Sequence, residues 1–310
     1  MDKSSGIGLV FAGGGAKGAY QMGVWNAIRT FGIDAYISAV SGTSIGAMNA
    51  YLYASGNMDM GLKLWSSIKK EDILYFDPDE FALFFEQLAR RFSKGKEPTG
   101  TPWFTKRQLN LFSRERLVEM LESVITDPAL PTTPIDCYAT CYCCESQSAV
   151  NYKLNKKTKQ EAVTILTATS AIPGAYSPVE MQGKHYYDGG MGENVPVSPL
   201  YEKGYRNFIV VYLAQRDYIE KSRYPGSHFV EIVPSANLGD FFTGTLNFHQ
   251  EAIADHLQQG YNDAKAIFSK YQNVYEMLLG ENGQEPIDTE PKLKKLAKLL
   301  IAETIREMVK

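Results

Sequence analysis

A G-x-S-x-G pattern, Gly42-Thr43-Ser44-Ile45-Gly46, separates two segments of different character. Residues 35–40, before it, are apolar and partly β-branched or aromatic, which is typical of a short buried strand. Residues 45–55 are rich in Ala, Met and Tyr and stop at Gly56, which is typical of a helix with a glycine end. The pattern therefore predicts a sharp strand-to-helix turn with Ser44 at its tip.

The glycines two residues before and two after Ser44 suit such a turn. Helix and strand approach closely there, and Gly42 and Gly46 leave room for the backbone. The Ser44 hydroxyl is then expected to point out of the sheet edge, at the positive end of the helix. A serine so placed is a candidate nucleophile, although a tight turn with an incidental serine also produces this pattern.

A second glycine-rich stretch, Gly13-Gly14-Gly15-Ala16-Lys17-Gly18, follows an apolar segment at 7–11 and precedes a predicted helix at 19–31. Together with the strand and helix around Ser44 it gives a β-α-β-α order, which predicts a parallel sheet covered by helices. Backbone without side chains at the three consecutive glycines can come close to a reacting carbonyl and donate N–H groups. Lys17 adds positive charge or holds the loop.

The same stretch also matches G-x-G-x-x-G, the dinucleotide-binding fingerprint, through Gly13, Gly15 and Gly18. That fingerprint requires an acidic residue at the end of the second strand, where it holds the ribose. Residues 41–44 occupy that place without an acid, and Asp34 lies before the strand. A nucleotide-binding protein is therefore the weaker alternative.

A carboxylate stands at the end of a predicted hairpin. Residues 179–181 and 184–187 flank Gln182-Gly183, a hairpin signal, and the second strand leads to Asp188-Gly189-Gly190. A buried carboxylate within reach of a serine hydroxyl can serve as its general base. Asp-Gly is also common in ordinary turns.

A histidine base is the alternative to Asp188. The chain has four histidines, and the order Ser-Asp-His of α/β-hydrolase esterases leaves His228, His249 and His256 as candidates. His249 and His256 lie seven residues apart on a predicted helix, which is a packing or surface pattern. His185 alternates with Tyr186 in a strand, where packing or hydrogen bonding is expected.

Composition narrows the class of protein. The 310 residues carry a net charge of −3, which gives no indication of nucleic-acid binding. No apolar run has the length of a membrane span, and the N-terminus lacks the basic region of a signal peptide. We therefore expect a cytoplasmic protein or one that lies peripherally on a membrane. The four cysteines, at 137, 141, 143 and 144, have no nearby histidine, so reduced thiols are favoured over a metal site.

Two segments have patterns that contact with lipid would explain. Within 57–103, a possible lid or insert, aromatic residues recur at helical spacing over 81–92 and a basic Gly/Pro-rich loop follows at 94–102. A helix packed on the sheet is the favoured interpretation of 81–92, and a lid or a membrane-surface patch is the alternative. The basic amphipathic pattern at 291–310 fits a membrane surface or, preferably, docking on its own domain. Further patterns predict helices at 58–67, 113–125 (with Ser113 as N-cap) and 161–170, and strands at 135–144 and 149–154.

Four blocks together resemble the patatin-like phospholipases, a family of lipid acyl hydrolases. They are Gly13–Gly18, Gly42–Gly46, Ala168-Thr169-Ser170-Ala171-Ile172-Pro173-Gly174-Ala175 and Asp188–Gly190, in the order expected for the family. The resemblance spans about residues 6 to 215. Gly190 stands where many members carry Ala, and Lys17 where they carry Arg or Lys.

The resemblance implies an α/β fold, a mainly parallel sheet sandwiched by helices, with a catalytic domain over 1–215 and a C-terminal region over 216–310 packed on it. It implies a phospholipase A-like activity with Ser44 as nucleophile and Asp188 as base, in a dyad without histidine. Gly13, Gly14 and Gly15 would line the oxyanion hole, and the remaining motif residues would support the site: Lys17, Gly18, Gly42, Gly46, Gly189 and Gly190. The expected partner is a lipid, with transient membrane contact and no metal or organic cofactor. A non-catalytic lipid-binding module on the same scaffold is the remaining alternative.

Overall fold

The computed structural model describes residues 6–69, 75–76 and 112–279. The strands in these ranges are β1 (Ile7–Phe11), β2 (Ile37–Thr43), β3 (Tyr75–Phe76), β4 (Phe112–Ser113), β5 (Asp136–Cys143), β6 (Ser148–Lys153), β7 (Val179–Met181), β8 (Lys184–Asp188), β9 (Asn207–Val211) and β10 (His228–Ile232). The α-helices there are α1 (Ala19–Thr30), α2 (Ile45–Ala54), α3 (Met58–Ser67), α4 (Glu115–Val124), α5 (Lys159–Thr169), α6 (Ser198–Glu202) and α7 (Gln250–Leu279).

A mixed sheet forms the centre of the molecule, in the order β10-β9-β1-β2-β5-β8-β7, and β6 also pairs with β5. The pairings from β10 to β5 are all parallel, whereas β6, β7 and β8 pair antiparallel. All five residues of β1 are buried, as expected for a strand covered on both faces. The predicted α/β fold class is confirmed, and the antiparallel strands make the sheet mixed.

Strand β5 sets the geometry of the sheet because two strands share one of its edges. Strand β2 pairs with its first part, up to Thr43 opposite Thr140, and β8 pairs with its end, where Asp188 lies opposite Cys141. The other edge of β5 is occupied by β6 over residues 138–143, so β2 and β8 must lie end to end on the same side. This register brings the end of β2 next to the end of β8.

The helices cover the sheet, and two of them show why glycine is needed. All ten residues of α2 are buried. Helix α1 packs so closely on α7 that a Cβ at Gly260 would overlap the carbonyl oxygen of Tyr20, and one at Gly23 would overlap that of Leu257. The phenol of Tyr20 also donates a hydrogen bond to Asp263 of α7, at 3.0 Å.

Most predicted elements are present, with shifted ends. Strand β2 begins at Ile37 and extends through Thr43, since residues 33–36 form a 3₁₀ turn. The N-cap of α4 is Arg114, so the prediction of Ser113 is wrong. The reason is long-range, because Ser113 is an extended residue of β4 that pairs with Tyr75 of β3.

Several predictions fall on residues outside the described ranges. These are the aromatic helix at 81–92, the basic loop at 94–102 and the helix at 291–310. The boundary at residue 215 stays a prediction, and β10, which follows it in sequence, belongs to the same sheet as β1. Across the described residues, no helix combines the length and apolar character needed to cross a membrane.

Candidate active site

Ser44 occupies the turn between β2 and α2 in a strained conformation. Its φ of 55° and ψ of −127° lie outside the regions that L-residues prefer, and its side chain is almost completely buried. The flanking glycines are required by close packing: a Cβ at Gly46 would overlap the Phe11 carbonyl oxygen, and one at Gly42 would overlap the carbonyl oxygen of Gly46. The predicted strand-to-helix elbow is therefore present.

Asp188 ends β8 beside this turn. Its amide donates to the carbonyl oxygen of Ala171 at 2.9 Å, and its Oδ1 accepts a hydrogen bond from the Gly190 amide at 2.8 Å. The next residue, Gly189, lies against the Thr140 carbonyl oxygen, where a Cβ would not fit. The Asp188 side chain is thus fixed by the hairpin, by β5 and by its own turn.

Burial dominates the electrostatics of this carboxyl. It raises the pKa of Asp188 to about 6, although the Ser44 hydroxyl and the Gly190 amide both favour the ionised form. The hydroxyl of Ser44 therefore faces the carboxyl closely enough to stabilise its negative charge. A carboxylate with a pKa near neutrality can accept a proton and also give it back.

Thr169 is a site residue whose role sequence reasoning missed. Its Oγ1 accepts a hydrogen bond from the Ser44 amide at 2.9 Å and donates one to the Thr140 carbonyl oxygen. The side chain is completely buried at the end of α5. It therefore ties the elbow to β5. The sequence feature that could have indicated this role is the position of Thr169 in the 168–175 block. Sequence alone did not show which hydroxyl of that block contacts Ser44.

The glycine-rich loop lies beside Ser44: Gly13 is close to the Ser44 Cβ, and Gly15 lines a cleft with Ser44. The Gly13 amide already donates to the carbonyl oxygen of Asn194 at 3.1 Å, which fixes the start of the loop. Among the described residues, no backbone carbonyl accepts a hydrogen bond from the amide of Gly14 or Gly15. Gly15 has a φ of 60° and shares a cleft with Ser44. Within the described residues, the Gly13 amide is therefore bound to a backbone carbonyl, whereas those of Gly14 and Gly15 are not.

Lys17 lies buried beneath this loop. Burial lowers the pKa of its ammonium group, and the nearby carboxylates of Asp217 and Asp240 oppose that effect. A Cβ on Gly14 would lie 3.3 Å from Lys17 Cε, so the lysine stem packs against the loop backbone. On the other side of the motif, Gly18 contacts Ile45 and Trp65. Lys17 and Gly18 therefore both take part in the packing that supports the loop.

The cleft next to Ser44 is apolar. Gly15 and Ser44 line it together with Ile45, Met48, Leu117, Ile172, Leu246 and Phe248. A cleft of this character next to a serine hydroxyl can hold a hydrocarbon chain with its polar end at the serine.

None of the four histidines lines this cleft with Ser44. His228 begins β10, at the end of the sheet opposite to Ser44. His249 is exposed, and His185 pairs with Glu145 at 2.8 Å. His256 is buried, and this burial lowers its pKa.

The four cysteines lie on β5 or directly after it. Cys137, Cys141 and Cys143 are buried free thiols on one face of β5. Burial raises the pKa of the Cys137 and Cys141 thiols, which keeps them protonated. Within the described ranges, no group of three or more His, Cys, Asp or Glu side chains has an arrangement that fits a metal ion.

The amino-acid sequence is similar to those of two known proteins over about two thirds of this chain. YjjU of Escherichia coli is 26% identical over 213 residues, which cover 66% of this chain and 51% of YjjU. Lysophospholipase NTE1 of Cryptococcus neoformans is 26% identical over 208 residues, which cover 66% of this chain and 11% of NTE1. The chain therefore matches about half of the first relative and about a tenth of the second.

A solved structure has the same fold. VipD from Legionella pneumophila superposes with a TM-score of 0.52 at 15% identity, over 86% of this chain and 67% of VipD. The family model for patatin-like phospholipase matches residues 9–201, which include the glycine-rich loop, the elbow, α5 and the β8 turn. This match covers more than half of the sequence, and we conclude that the chain belongs to the patatin-like phospholipase family.

Proposed function

We propose that this protein is a serine lipid acyl hydrolase that cleaves fatty acyl esters of phospholipids or related lipids. The observation that carries the proposal is the meeting of a strained, buried Ser44 with the buried carboxyl of Asp188 at one point of the sheet. Family membership and the lysophospholipase relatives support a lipid ester as the substrate. The apolar cleft supports an acyl chain as the part of the substrate held next to Ser44.

In the proposed reaction, Ser44 Oγ attacks the acyl carbonyl while Asp188 takes the hydroxyl proton. Amides of Gly14 and Gly15 donate hydrogen bonds to the oxyanion that forms. The proton then passes from Asp188 to the leaving alcohol, and the acyl group remains as an ester on Ser44. Water attacks this ester and gives its proton to Asp188. The fatty acid leaves, and the proton returns to Ser44.

The test is fatty acid release by the wild-type protein and two variants, Ser44→Ala and Asp188→Asn. A medium-chain p-nitrophenyl ester and mixed phospholipid vesicles serve as substrates, and circular dichroism verifies folding. We expect both variants to lose on the order of a thousandfold or more in kcat/KM. Ser170→Ala is the matched control, because Ser170 lines the same cleft and its hydroxyl donates a hydrogen bond to the Leu166 carbonyl oxygen. It should retain activity within about threefold of the wild type, because this hydrogen bond lies within α5 and its end.

Two other outcomes would support the alternatives. If Asp188→Asn keeps activity while Ser44→Ala loses it, a histidine esterase is favoured, and one of His228, His249 or His256 must then be essential. If the wild type binds vesicles but releases no fatty acid from either substrate, the chain is a lipid-binding module.

A further inference from the structure

An arginine lies beside a residue of the cleft wall and is not used in the reaction described above. Arg114 precedes α4, and Leu117, one turn further along the same helix face, lines the cleft. The Arg114 guanidinium lies over the ring of Tyr176, 5.6 Å from its centroid, and Tyr176 lines the cleft as well. The guanidinium also donates a hydrogen bond to the Ser177 carbonyl oxygen. These contacts hold the cation beside Tyr176, a residue of the cleft wall.

This cation has no anionic partner within the described part of the chain. The ion pairs found there involve other residues. Burial lowers the pKa of Arg114, and the groups that oppose this effect are the phenols of Tyr176 and Tyr187. Arginine nevertheless stays protonated in proteins. A partly desolvated guanidinium with free N–H donors gains more from an incoming anion than a solvated one does.

Lys17, the other buried cation near Ser44, does not compete for this role. The carboxylates of Asp217 and Asp240 lie near its ammonium group, and it is covered by the glycine-rich loop. Arg114, by contrast, is only partly buried and contacts a residue of the cleft itself. An anionic group on a ligand in the cleft is therefore expected to meet Arg114 first.

We propose that Arg114 binds the phosphate of the substrate, so that the enzyme prefers acyl esters of glycerophosphate to neutral acylglycerols. The inference rests on the proposed function. In a glycerophospholipid, two or three glycerol carbons and one oxygen separate the cleaved ester oxygen from phosphorus. With the acyl chain in the cleft and the ester at Ser44, the phosphate then meets the guanidinium beside Tyr176. Arginine suits this role because its planar donors match phosphate oxygens.

The test compares two substrates that differ only in the phosphate, 1-oleoyl lysophosphatidic acid and 1-oleoylglycerol, in neutral mixed micelles at fixed surface fraction. We expect Arg114→Gln to lower kcat/KM for the phosphate ester by about 10- to 100-fold and to leave the neutral ester within about twofold. Arg114→Lys should recover part of the loss, because it keeps the charge but loses the planar fork.

Arg206→Gln is the matched control. Arg206 also stacks on a tyrosine, Tyr201, at 4.0 Å, and donates to backbone carbonyls, but Tyr201 does not line the cleft, whereas Tyr176 does. This variant should keep the wild-type preference between the two substrates. An equal loss on both substrates in Arg114→Gln would show a purely structural role, and unchanged kinetics would also overturn the inference.

A binding measurement separates this inference from the proposed hydrolysis. The affinities of decyl phosphate and decanol, neither of which contains a carboxylic ester, are measured on Ser44→Ala and on Ser44→Ala with Arg114→Gln. We expect Arg114→Gln to weaken only the phosphate compound, whether or not the wild type hydrolyses lipids. Equal affinities of the two proteins for decyl phosphate would refute the role of Arg114, whereas absent hydrolysis by the wild type would refute only the proposed function.

Discussion

Asp188 carries a buried carboxyl group. The proposed reaction needs the ionised form of this group, whereas burial disfavours that form. The Ser44 hydroxyl and the Gly190 amide offset part of this cost, and the pKa remains raised to about 6. Activity and stability should therefore respond to pH in opposite directions at this residue.

The pH dependence of kcat/KM tests the identity of the base. We expect kcat/KM on a neutral ester to rise with pH and to level off above a midpoint near 6, because free Asp188 must be ionised to accept the Ser44 proton. The His249→Ala variant, changed next to the cleft residue Phe248, should show the same rise of kcat/KM with pH. If this rise disappears in His249→Ala, a histidine is the base instead.

Asp188→Asn should stabilise the folded protein while it removes activity. The pKa is about 6 in the folded state against 3.8 for an ordinary Asp, so the native state holds the proton more tightly. This favours folding at low pH, and the advantage is lost as pH rises through 6. Above that pH, removal of the buried charge should raise the free energy of unfolding by up to about 3 kcal/mol, since one pKa unit corresponds to about 1.4 kcal/mol.

Urea denaturation at several pH values measures this effect. The gain in Asp188→Asn should vanish below about pH 4, where both states are protonated. Glu202→Gln, at an exposed position at the end of α6, should show no comparable pH-dependent gain. A destabilised Asp188→Asn protein at neutral pH would contradict the raised pKa.

At the scale of elements, the site depends on where strands end. The sequence predicted the strand, elbow and helix around Ser44 and the hairpin that leads to Asp188, because these rest on local periodicity and turn residues. It did not predict that β2 and β8 share one edge of β5, since the register of that edge is set by long-range pairing. The role of Thr169, which joins α5 to both strands, was missed for the same reason.

Thr169→Val tests this connection. The substitution keeps the shape but removes the hydrogen bonds of Thr169 to the Ser44 amide and the Thr140 carbonyl, so we expect about 1–3 kcal/mol lower stability. We also expect kcat to fall by about tenfold or more, because the strained elbow loses its anchor. Thr169→Ser retains the hydroxyl and should restore kcat close to the wild-type value. Equal losses in the two variants would show that packing, and not the hydrogen bonds, is what matters.

At the scale of the whole molecule, α7 and the segment before it pack against α1 and the glycine-rich loop. It packs on α1 through backbone contacts at Gly23 and Gly260, and Thr245, shortly before α7, lies against Gly15 of the loop. Such contacts were beyond prediction, because a glycine inside a helical pattern does not reveal which backbone it meets. The fold class was predictable, since the order of strands and helices depends on local pattern alone.

Gly260→Ala should destabilise the protein, although alanine favours helices by up to about 1 kcal/mol over glycine. The new methyl group would overlap the Tyr20 carbonyl oxygen, and we expect a net loss of about 1–3 kcal/mol in thermal or urea unfolding. Asn26→Ala, at an exposed position of α1, is the control and should have little effect. A stabilised Gly260→Ala protein would show that α1 and α7 are not packed this closely.

The central claim is that Ser44 forms a covalent acyl intermediate with the help of Asp188. An alkyl fluorophosphonate, which traps activated serines, followed by mass spectrometry of the intact protein and its peptides, tests it most directly. We predict one adduct per chain, located on Ser44, absent in Ser44→Ala and formed far more slowly in Asp188→Asn. An adduct on another residue, or fatty acid release that persists in Ser44→Ala, would contradict the account.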